Sequence, residues 1–178
     1  MFKKQGFLIE RKILDVNKWY EEVKSKESEC STDDPQCPGN KSMYNGLNEL
    51  QDIIKPIIEN ITNLELYKTY NYFRIYTKNA YLNSHTDRDA CEISVTLNLG
   101  GDDWSIGIFD YDDNPHTILL TPGDALIYHG CDLVHWRPGK FNGNELVQVF
   151  IHFVDKNGNR SWAKDDIIRE SLNTKTLL

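Results

Sequence analysis

The stretch that decides the fold class reads Ile93-Ser94-Val95-Thr96-Leu97-Asn98-Leu99 and runs into Gly100-Gly101-Asp102. Aliphatic and polar residues alternate over seven positions, which is typical of a β-strand with one apolar and one polar face. The polar face carries Ser94, Thr96 and Asn98. A row of small polar groups in an otherwise apolar strand predicts the wall of a polar pocket, in which the Thr96 hydroxyl is a candidate contact to a bound molecule.

Six further β-rich runs surround this stretch, and Gly, Pro, Asn and Asp clusters separate them. They are Tyr72–Tyr76, Ser105–Phe109, Thr117–Leu120, Ala125–Tyr128, Leu133–Trp136 and Leu146–Val154. Seven or eight short strands at such spacing predict a sandwich or barrel, with the jelly roll among the options. No helices alternate with these strands, and the chain lacks a G-x-G-x-x-G motif and a phosphate-binding loop, which excludes a Rossmann fold.

Before residue 65 the pattern is helical. Asp15 is placed to cap a helix that runs to about residue 26, and apolar residues at helical spacing predict a second helix over about 43–60. Pro56 is expected to kink or end the second helix. A short helix over about 161–172 is predicted in the tail.

The length of 178 residues predicts a single domain over 1–178. Within it we expect an N-terminal helical support region (1–64), a jelly-roll catalytic core (65–155) and a C-terminal tail (156–178). Twenty basic residues against 27 acidic ones give a formal net charge of −7, which disfavours nucleic acid as a partner.

Two further expectations concern membranes and cellular location. No apolar run reaches the ~20 residues that a membrane-spanning helix needs, so no membrane partner is expected. The N-terminus has no uninterrupted apolar stretch of the kind that a signal peptide requires, which predicts a cytoplasmic protein. Free thiols are then expected at the four cysteines, which are Cys30, Cys37, Cys91 and Cys131.

The candidate chemistry centres on His85-Thr86-Asp87, the single His-x-Asp triplet of the chain. Residues i and i+2 of an extended segment point to the same side, so His85 and Asp87 can reach one ion. His135, from a distant strand, is the best third ligand. Two histidines and one carboxylate on one face leave three coordination positions open, which is typical of non-haem Fe(II). Arg137 shares a strand face with His135 and suits an anionic cosubstrate.

In order and spacing, these motifs resemble the 2-oxoglutarate- and Fe(II)-dependent oxygenases with a double-stranded β-helix (jelly-roll) core, and most closely the small prolyl-4-hydroxylase-like branch. The matching segments lie within about residues 70–155 and are Phe73–Tyr76, Tyr81–Arg88, Ile93–Leu97, Trp104, Thr121–Tyr128, His135–Arg137 and Val149–Phe153. The resemblance implies a mainly β fold with the N-terminal helices packed outside the core. It also implies that His85, Asp87 and His135 hold iron and that Tyr76 contacts 2-oxoglutarate.

The activity that the resemblance implies is that of a dioxygenase, an oxidoreductase that needs Fe(II), 2-oxoglutarate as cosubstrate and O₂, with ascorbate as an accessory reductant. Its substrate would be a peptidyl (prolyl-like) group or a small molecule. Such enzymes usually carry a basic residue nine to eleven positions after the distal histidine, to pair with 2-oxoglutarate. Here those positions hold Asn144, Glu145 and Leu146. Arg137 is the predicted substitute, and Lys140 is a weaker one.

This departure leaves an alternative open, in which the chain is a non-catalytic jelly-roll protein that binds a metal or another ligand. A nucleic-acid demethylase with a similar core is a further alternative. The acidic charge and the lack of paired arginines after His135 disfavour it.

Overall fold

The computed structural model describes residues 2–166. Three α-helices and nine strands make up this part of the chain. The helices are α1 (Phe2–Gln5), α2 (Asn17–Ser25) and α3 (Asn48–Thr62). The strands are β1 (Phe7–Glu10), β2 (Asn40–Tyr44), β3 (Leu66–Thr77), β4 (Ile93–Gly101), β5 (Ile106–Phe109), β6 (Pro115–Ile118), β7 (Ala125–Tyr128), β8 (His135–Trp136) and β9 (Glu145–Asp155). Short 3₁₀ turns cover Glu27–Glu29, Asp89–Cys91 and Ser161–Asp165.

The strands form two antiparallel sheets. The larger has the order β1-β7-β4-β9-β3-β2, and the smaller has the order β6-β5-β8. An apolar cluster joins Ile106 and Ile108 of the small sheet to Leu126 and Tyr128 of the large one. This arrangement confirms the predicted jelly-roll core, in which the space between the sheets holds the site.

The two faces of β4 divide as the alternation predicts. Val95 and Leu97 are completely buried in the cluster that also contains Trp19 of α2 and Ile54 of α3. The helices therefore pack on the outer face of the large sheet, as expected. Ser94, Thr96 and Asn98 are equally buried but point between the sheets, where they meet polar partners.

Two strands lie in the region for which the sequence predicted only helices. β1 pairs with β7 (Phe7 opposite Tyr128), and β2 pairs with β3 (Asn40 opposite Tyr76). Both are edge strands of four or five residues, and β2 has a polar sequence, so neither carries an apolar period long enough to be recognised. The division of the chain at residue 64 stays a prediction, but strands precede it.

The helices differ from prediction at their ends. α2 begins at Asn17 and its N-cap residue is Val16, whose side chain makes no capping hydrogen bond, so the prediction that Asp15 caps this helix is wrong. Asp15 lies one residue earlier, and its carboxylate accepts from the Asn17 amide at 3.0 Å. The expectation that Pro56 ends α3 is wrong, because the helix continues to Thr62. Ile54 and Ile58, on either side of Pro56, are fully buried, and their packing holds the helix together across the missing backbone hydrogen bond.

Asp124 lies in the turn before β7 and forms hydrogen bonds with the residues that follow β1. Its buried carboxylate accepts hydrogen bonds from the Thr121 amide (2.9 Å), the Thr121 hydroxyl (2.8 Å), the Lys12 amide (3.1 Å) and the Arg11 guanidinium (2.7 Å). Burial alone would raise the pKa of Asp124, but these donors outweigh it and lower the pKa to about 2.

Two further expectations concern the tail and the cysteines. Ser161–Asp165 forms a 3₁₀ turn, and the rest of the helix predicted over 161–172 lies outside the described residues, apart from Asp166. All four cysteines are free thiols. Within residues 2–166, none of the helices combines the length and the apolar character needed to cross a membrane.

Candidate active site

The structure brings His85, Asp87 and His135 together at the mouth of the barrel. His85 and His135 form an antiparallel bridge in which each backbone amide donates to the other's carbonyl, at 3.0 and 2.9 Å. The Asp87 Oδ1 atom lies 3.7 Å from Nε2 of His85 and 3.6 Å from Nε2 of His135. One ligand atom from each residue lies within 4.8 Å of the other two, so the three can coordinate one ion.

Hydrogen bonds on the far side of each imidazole prepare both histidines for a metal. Nδ1 of His85 lies 2.9 Å from the Asn83 carbonyl, and Nδ1 of His135 lies 2.9 Å from the Leu133 carbonyl. A carbonyl can only accept, so each Nδ1 carries the proton and each Nε2 keeps a lone pair toward the shared centre. Burial, and then the nearby His135, lower the pKa of His85, which favours the neutral imidazole that a metal requires.

Asp87 is held by its backbone and by its outer oxygen. Its amide donates to the Gly130 carbonyl at 2.8 Å, and its Oδ2 accepts from the Ser94 hydroxyl at 3.0 Å. Oδ1 is the oxygen turned toward the two imidazoles. The donor set of two neutral nitrogens and one carboxylate oxygen suits Fe(II) and leaves room for further ligands.

A second cluster of donor atoms, Asp87, Cys91 and His152, lies behind the first. Burial raises the pKa of the Cys91 thiol well above its usual value, and a thiol must lose its proton to bind a metal. The Ser94 hydroxyl lies 3.0 Å from both Asp87 Oδ2 and His152 Nδ1 and so occupies the space between them. The first cluster is therefore the better metal site.

A cleft of about 270 Å³ opens at His85 and Asp87. Its walls are formed by Gln36, Tyr70, Tyr72, His85, Thr86, Asp87, Arg88 and Cys91. Tyr72 stacks on Phe150 (4.8 Å between ring centroids), and Tyr70 lies 4.7 Å from the His152 ring. The aromatic rings give the cleft a rigid wall beside the three ligands.

Arg137 is buried in the barrel interior. Its Nη1 donates to the Trp104 carbonyl at 2.6 Å and its Nη2 to Oε1 of Gln148, while its buried Nε has no hydrogen-bond partner within the described chain. The guanidinium also lies over the rings of Trp104 (5.2 Å) and Tyr76 (5.4 Å). Both Nη partners are neutral, and no carboxylate of residues 2–166 forms an ion pair with Arg137.

Arg74, on β3, is a second interior guanidinium, which no sequence pattern singled out. It is only 2% exposed and pairs with Asp34 at 2.6 Å. Asp34 lies forty positions earlier, in the segment that precedes β2. Only the folded structure reveals this pair, although Arg74 belongs to Phe73–Tyr76, one of the segments that resemble the oxygenases.

Of the remaining predicted contacts, Tyr76 and Thr96 are buried and Lys140 is not. Tyr76 is fully buried, and its hydroxyl has no hydrogen-bond partner among residues 2–166. The Thr96 hydroxyl lies 3.4 Å from that of Tyr128, whose ring packs against His135 at 4.8 Å. Lys140 is exposed and does not line the cleft. The buried polar face predicted for β4 is present, and two buried guanidinium groups, Arg137 and Arg74, also lie in the protein interior.

The fold is shared by solved structures of oxygenases that use a metal and a keto acid. A prolyl-4-hydroxylase from Pseudomonas putida superposes with a TM-score of 0.71 at 15% sequence identity, over 86% of this chain and 95% of that one. A Trichoplax adhaerens prolyl hydroxylase, solved with a fragment of the oxygen degradation domain of hypoxia inducible factor, gives 0.75 at 12%, over 91% and 89%. HygX from Streptomyces hygroscopicus, solved with nickel and 2-oxoglutarate, gives 0.69 at 15%, over 88% and 85%.

These likenesses define the class of fold, the double-stranded β-helix of the 2-oxoglutarate and Fe(II) oxygenases. Sequence comparison adds nothing to this, since no family model and no curated protein sequence matches the chain.

Proposed function

We propose that this protein is an Fe(II)- and 2-oxoglutarate-dependent dioxygenase. His85, Asp87 and His135 would hold the iron, and the barrel interior would hold the keto acid. Bound together, iron and 2-oxoglutarate would allow O₂ to hydroxylate an unactivated C–H bond, with one oxygen atom entering the substrate and the other entering succinate as 2-oxoglutarate loses CO₂. The metal half of the proposal is supported by the three convergent donor atoms and by the two proton-bearing Nδ1 atoms, which leave both Nε2 atoms free to coordinate.

The single observation that carries the cosubstrate half is the charge on Arg137. Its guanidinium is 4% exposed and has only neutral hydrogen-bond partners. A buried cation without a counter-charge costs several kcal/mol, which a bound carboxylate would offset. The distal carboxylate of 2-oxoglutarate is such a group, and Arg137 thereby fills the role of the basic residue that positions 144–146 do not supply.

Orphaned polar atoms around Arg137 fit the same ligand. The Arg137 Nε and the Tyr76 hydroxyl are both buried without a hydrogen-bond partner in the described chain. The two side chains are in contact, with the guanidinium carbon 5.4 Å from the centre of the Tyr76 ring. Together they offer two donors to one carboxylate. Thr96, on the same inner face, is proposed as a further contact to the keto acid.

The substrate is proposed to be a peptidyl, prolyl-like group or a small molecule that enters the cleft beside Tyr70 and Tyr72. Of the proteins with this fold, one was solved with a peptide fragment and another, HygX, with hygromycin B. The work of the chain's own residues is to hold the reactants, to exclude water with the tyrosines and to keep one face of the metal accessible.

The test is to incubate the protein anaerobically with Fe(II), 2-oxoglutarate and ascorbate, admit O₂ and measure succinate, with and without proline-containing peptides. We expect slow succinate release without substrate, which the variant Asp87→Ala abolishes. The absence of succinate under every condition, together with tight metal binding, would instead support the alternative of a non-catalytic metal-binding protein.

A further inference from the structure

We propose that Ser94 and His152 are positioning residues for Asp87, acting as a two-step hydrogen-bond relay that fixes how the carboxylate faces the metal. The relay begins in β9, passes through β4 and ends at the ligand. This inference rests on the proposed metal site, and it concerns residues to which neither the sequence motifs nor that function gives a role.

Each member of the relay lies within hydrogen-bonding distance of the next. The Ser94 hydroxyl lies 3.0 Å from Asp87 Oδ2, 3.0 Å from His152 Nδ1 and 3.1 Å from the Cys91 carbonyl. Ser94 is fully buried and His152 is 2% exposed, so the hydrogen bond between them is shielded from water. The two residues face each other across paired strands, since Ser94 of β4 is the register partner of His152 of β9.

The direction of each hydrogen bond follows from counting protons. The Ser94 hydroxyl has one hydrogen and three neighbours that can accept it. The carboxylate is the strongest acceptor because its bond is charge-assisted, so the hydrogen points to Asp87 Oδ2. Nδ1 of His152 must then be the donor to the Ser94 oxygen. The relay therefore runs from His152 through Ser94 to Asp87, and each member fixes the orientation of the next.

The ring of His152 is itself held in place. It lies 4.7 Å from the Tyr70 ring and is stacked on the Tyr72 ring at 5.7 Å, between centroids. The two tyrosine rings restrict the His152 ring, and through Ser94 this restriction extends to the Asp87 carboxylate. With Oδ2 tied to Ser94, Oδ1 stays turned toward the two imidazole nitrogens.

Gly130 closes the remaining side of the relay. A Cβ atom at this position would come within 2.4 Å of the Ser94 oxygen and 2.5 Å of Asp87 Oδ2, closer than non-bonded atoms approach. Its carbonyl meanwhile accepts from the Asp87 amide at 2.8 Å. A residue without a side chain is therefore required at position 130, where the relay meets the carboxylate.

The experiment measures the affinity of the metal-free protein for Co(II), by competition with a fluorescent chelator. Partners of a metal ligand are typically worth 10- to 100-fold in metal affinity. We expect Ser94→Ala and His152→Leu each to weaken Co(II) binding by about that factor. His152→Asn should restore most of it, because the Asn amide N–H can take the place of Nδ1–H.

Thr62→Val serves as the matched control, since it deletes a buried hydroxyl that bonds the Ile58 carbonyl at 2.7 Å in α3, outside the cleft. It should bind Co(II) like the wild type. Wild-type affinity in both Ser94→Ala and His152→Leu would overturn the relay, as would equal weakness of His152→Asn and His152→Leu. A wild type that binds two Co(II) ions, of which His152→Asn loses one, would also overturn it and would make His152 a ligand.

These outcomes are distinct from failure of the proposed function. If the wild type and Thr62→Val both bind no Co(II), then the metal site itself is refuted. If Ser94→Ala fails to fold, as thermal melting would reveal, the comparison of His152→Asn with His152→Leu still decides the matter.

Discussion

Replacing Arg137 by Met tests the proposed cosubstrate site most directly. Methionine keeps an apolar chain of similar length between the rings of Tyr76 and Trp104, and it removes the charge and all five N–H donors. Because no carboxylate among residues 2–166 pairs with Arg137, the substitution leaves none of these carboxylates without its partner. The stability of the ligand-free protein should therefore change little, while its affinity for 2-oxoglutarate falls.

The size of the effect follows from the burial of the guanidinium. Truncating one partner of a buried, hydrogen-bonded charge pair costs 2–5 kcal/mol. With Arg137 at 4% exposure, solvent screens the pair weakly, and about 3 kcal/mol is a reasonable value. At about 1.4 kcal/mol per factor of ten, the Kd for 2-oxoglutarate should rise roughly 150-fold. Arg137→Lys keeps the charge but loses the planar fork, so its Kd should rise less, by roughly tenfold.

The assay is calorimetric titration of 2-oxoglutarate into Ni(II)-loaded protein, with Ni(II) affinity and thermal melting recorded for each variant. Unchanged 2-oxoglutarate affinity in Arg137→Met, with the metal still bound, would refute the role of Arg137. An equal loss of metal and 2-oxoglutarate binding would point to a collapsed site and would remove the support that the Arg137 charge gives to the proposal.

Three further predictions follow from single contacts. His135→Ala should abolish both Co(II) binding and succinate release, because it removes one of three donors; retained tight binding would mean that the metal lies elsewhere. Asp34→Asn should lower the free energy of unfolding in urea by about 3 kcal/mol, since it leaves the buried Arg74 without its counter-charge; no loss would show that the pair contributes nothing. Asp124 has a pKa of about 2 in the folded protein, below its unfolded value of about 3.9, so its stabilisation is present above pH 4 and is lost as the pH falls toward 2. In total, Asp124 should account for a fall of about 2.5 kcal/mol in the free energy of unfolding as the medium is acidified, and this fall should be absent in Asp124→Asn. The same pH dependence in the variant and the wild type would contradict the role of Asp124.

The convergence of His85, Asp87 and His135 was predictable because it depends on local sequence patterns. Strand parity places His85 beside Asp87, and the alternation of Leu133, His135 and Arg137 assigns the second histidine to the inner face. The burial of Leu133, His135 and Arg137, with half-buried residues between them, agrees with that alternation. The same parity predicted the polar face of β4, where Ser94 meets Asp87.

The parts that escaped prediction depend on distant contacts. β2 is recognisable only through its pairing with β3, and α3 continues past Pro56 only because the sheet buries its apolar face. The partnership of Asp34 with Arg74 spans forty residues and leaves no periodic trace in the sequence. Local patterns identify a face of a strand, whereas the charge partner of a buried side chain is a property of the assembled fold.

The two interior arginines show why that distinction matters for function. Arg74 and Arg137 both border Gln148, the first as its register partner across β3 and β9 and the second through a hydrogen bond. Among residues 2–166, Asp34 balances the charge of Arg74, whereas no carboxylate forms an ion pair with Arg137. A buried guanidinium with neutral partners favours an anionic guest beside it. Under the proposed function, one carboxylate of 2-oxoglutarate would pair with Arg137, and the keto-acid end would reach the metal held by His85, Asp87 and His135.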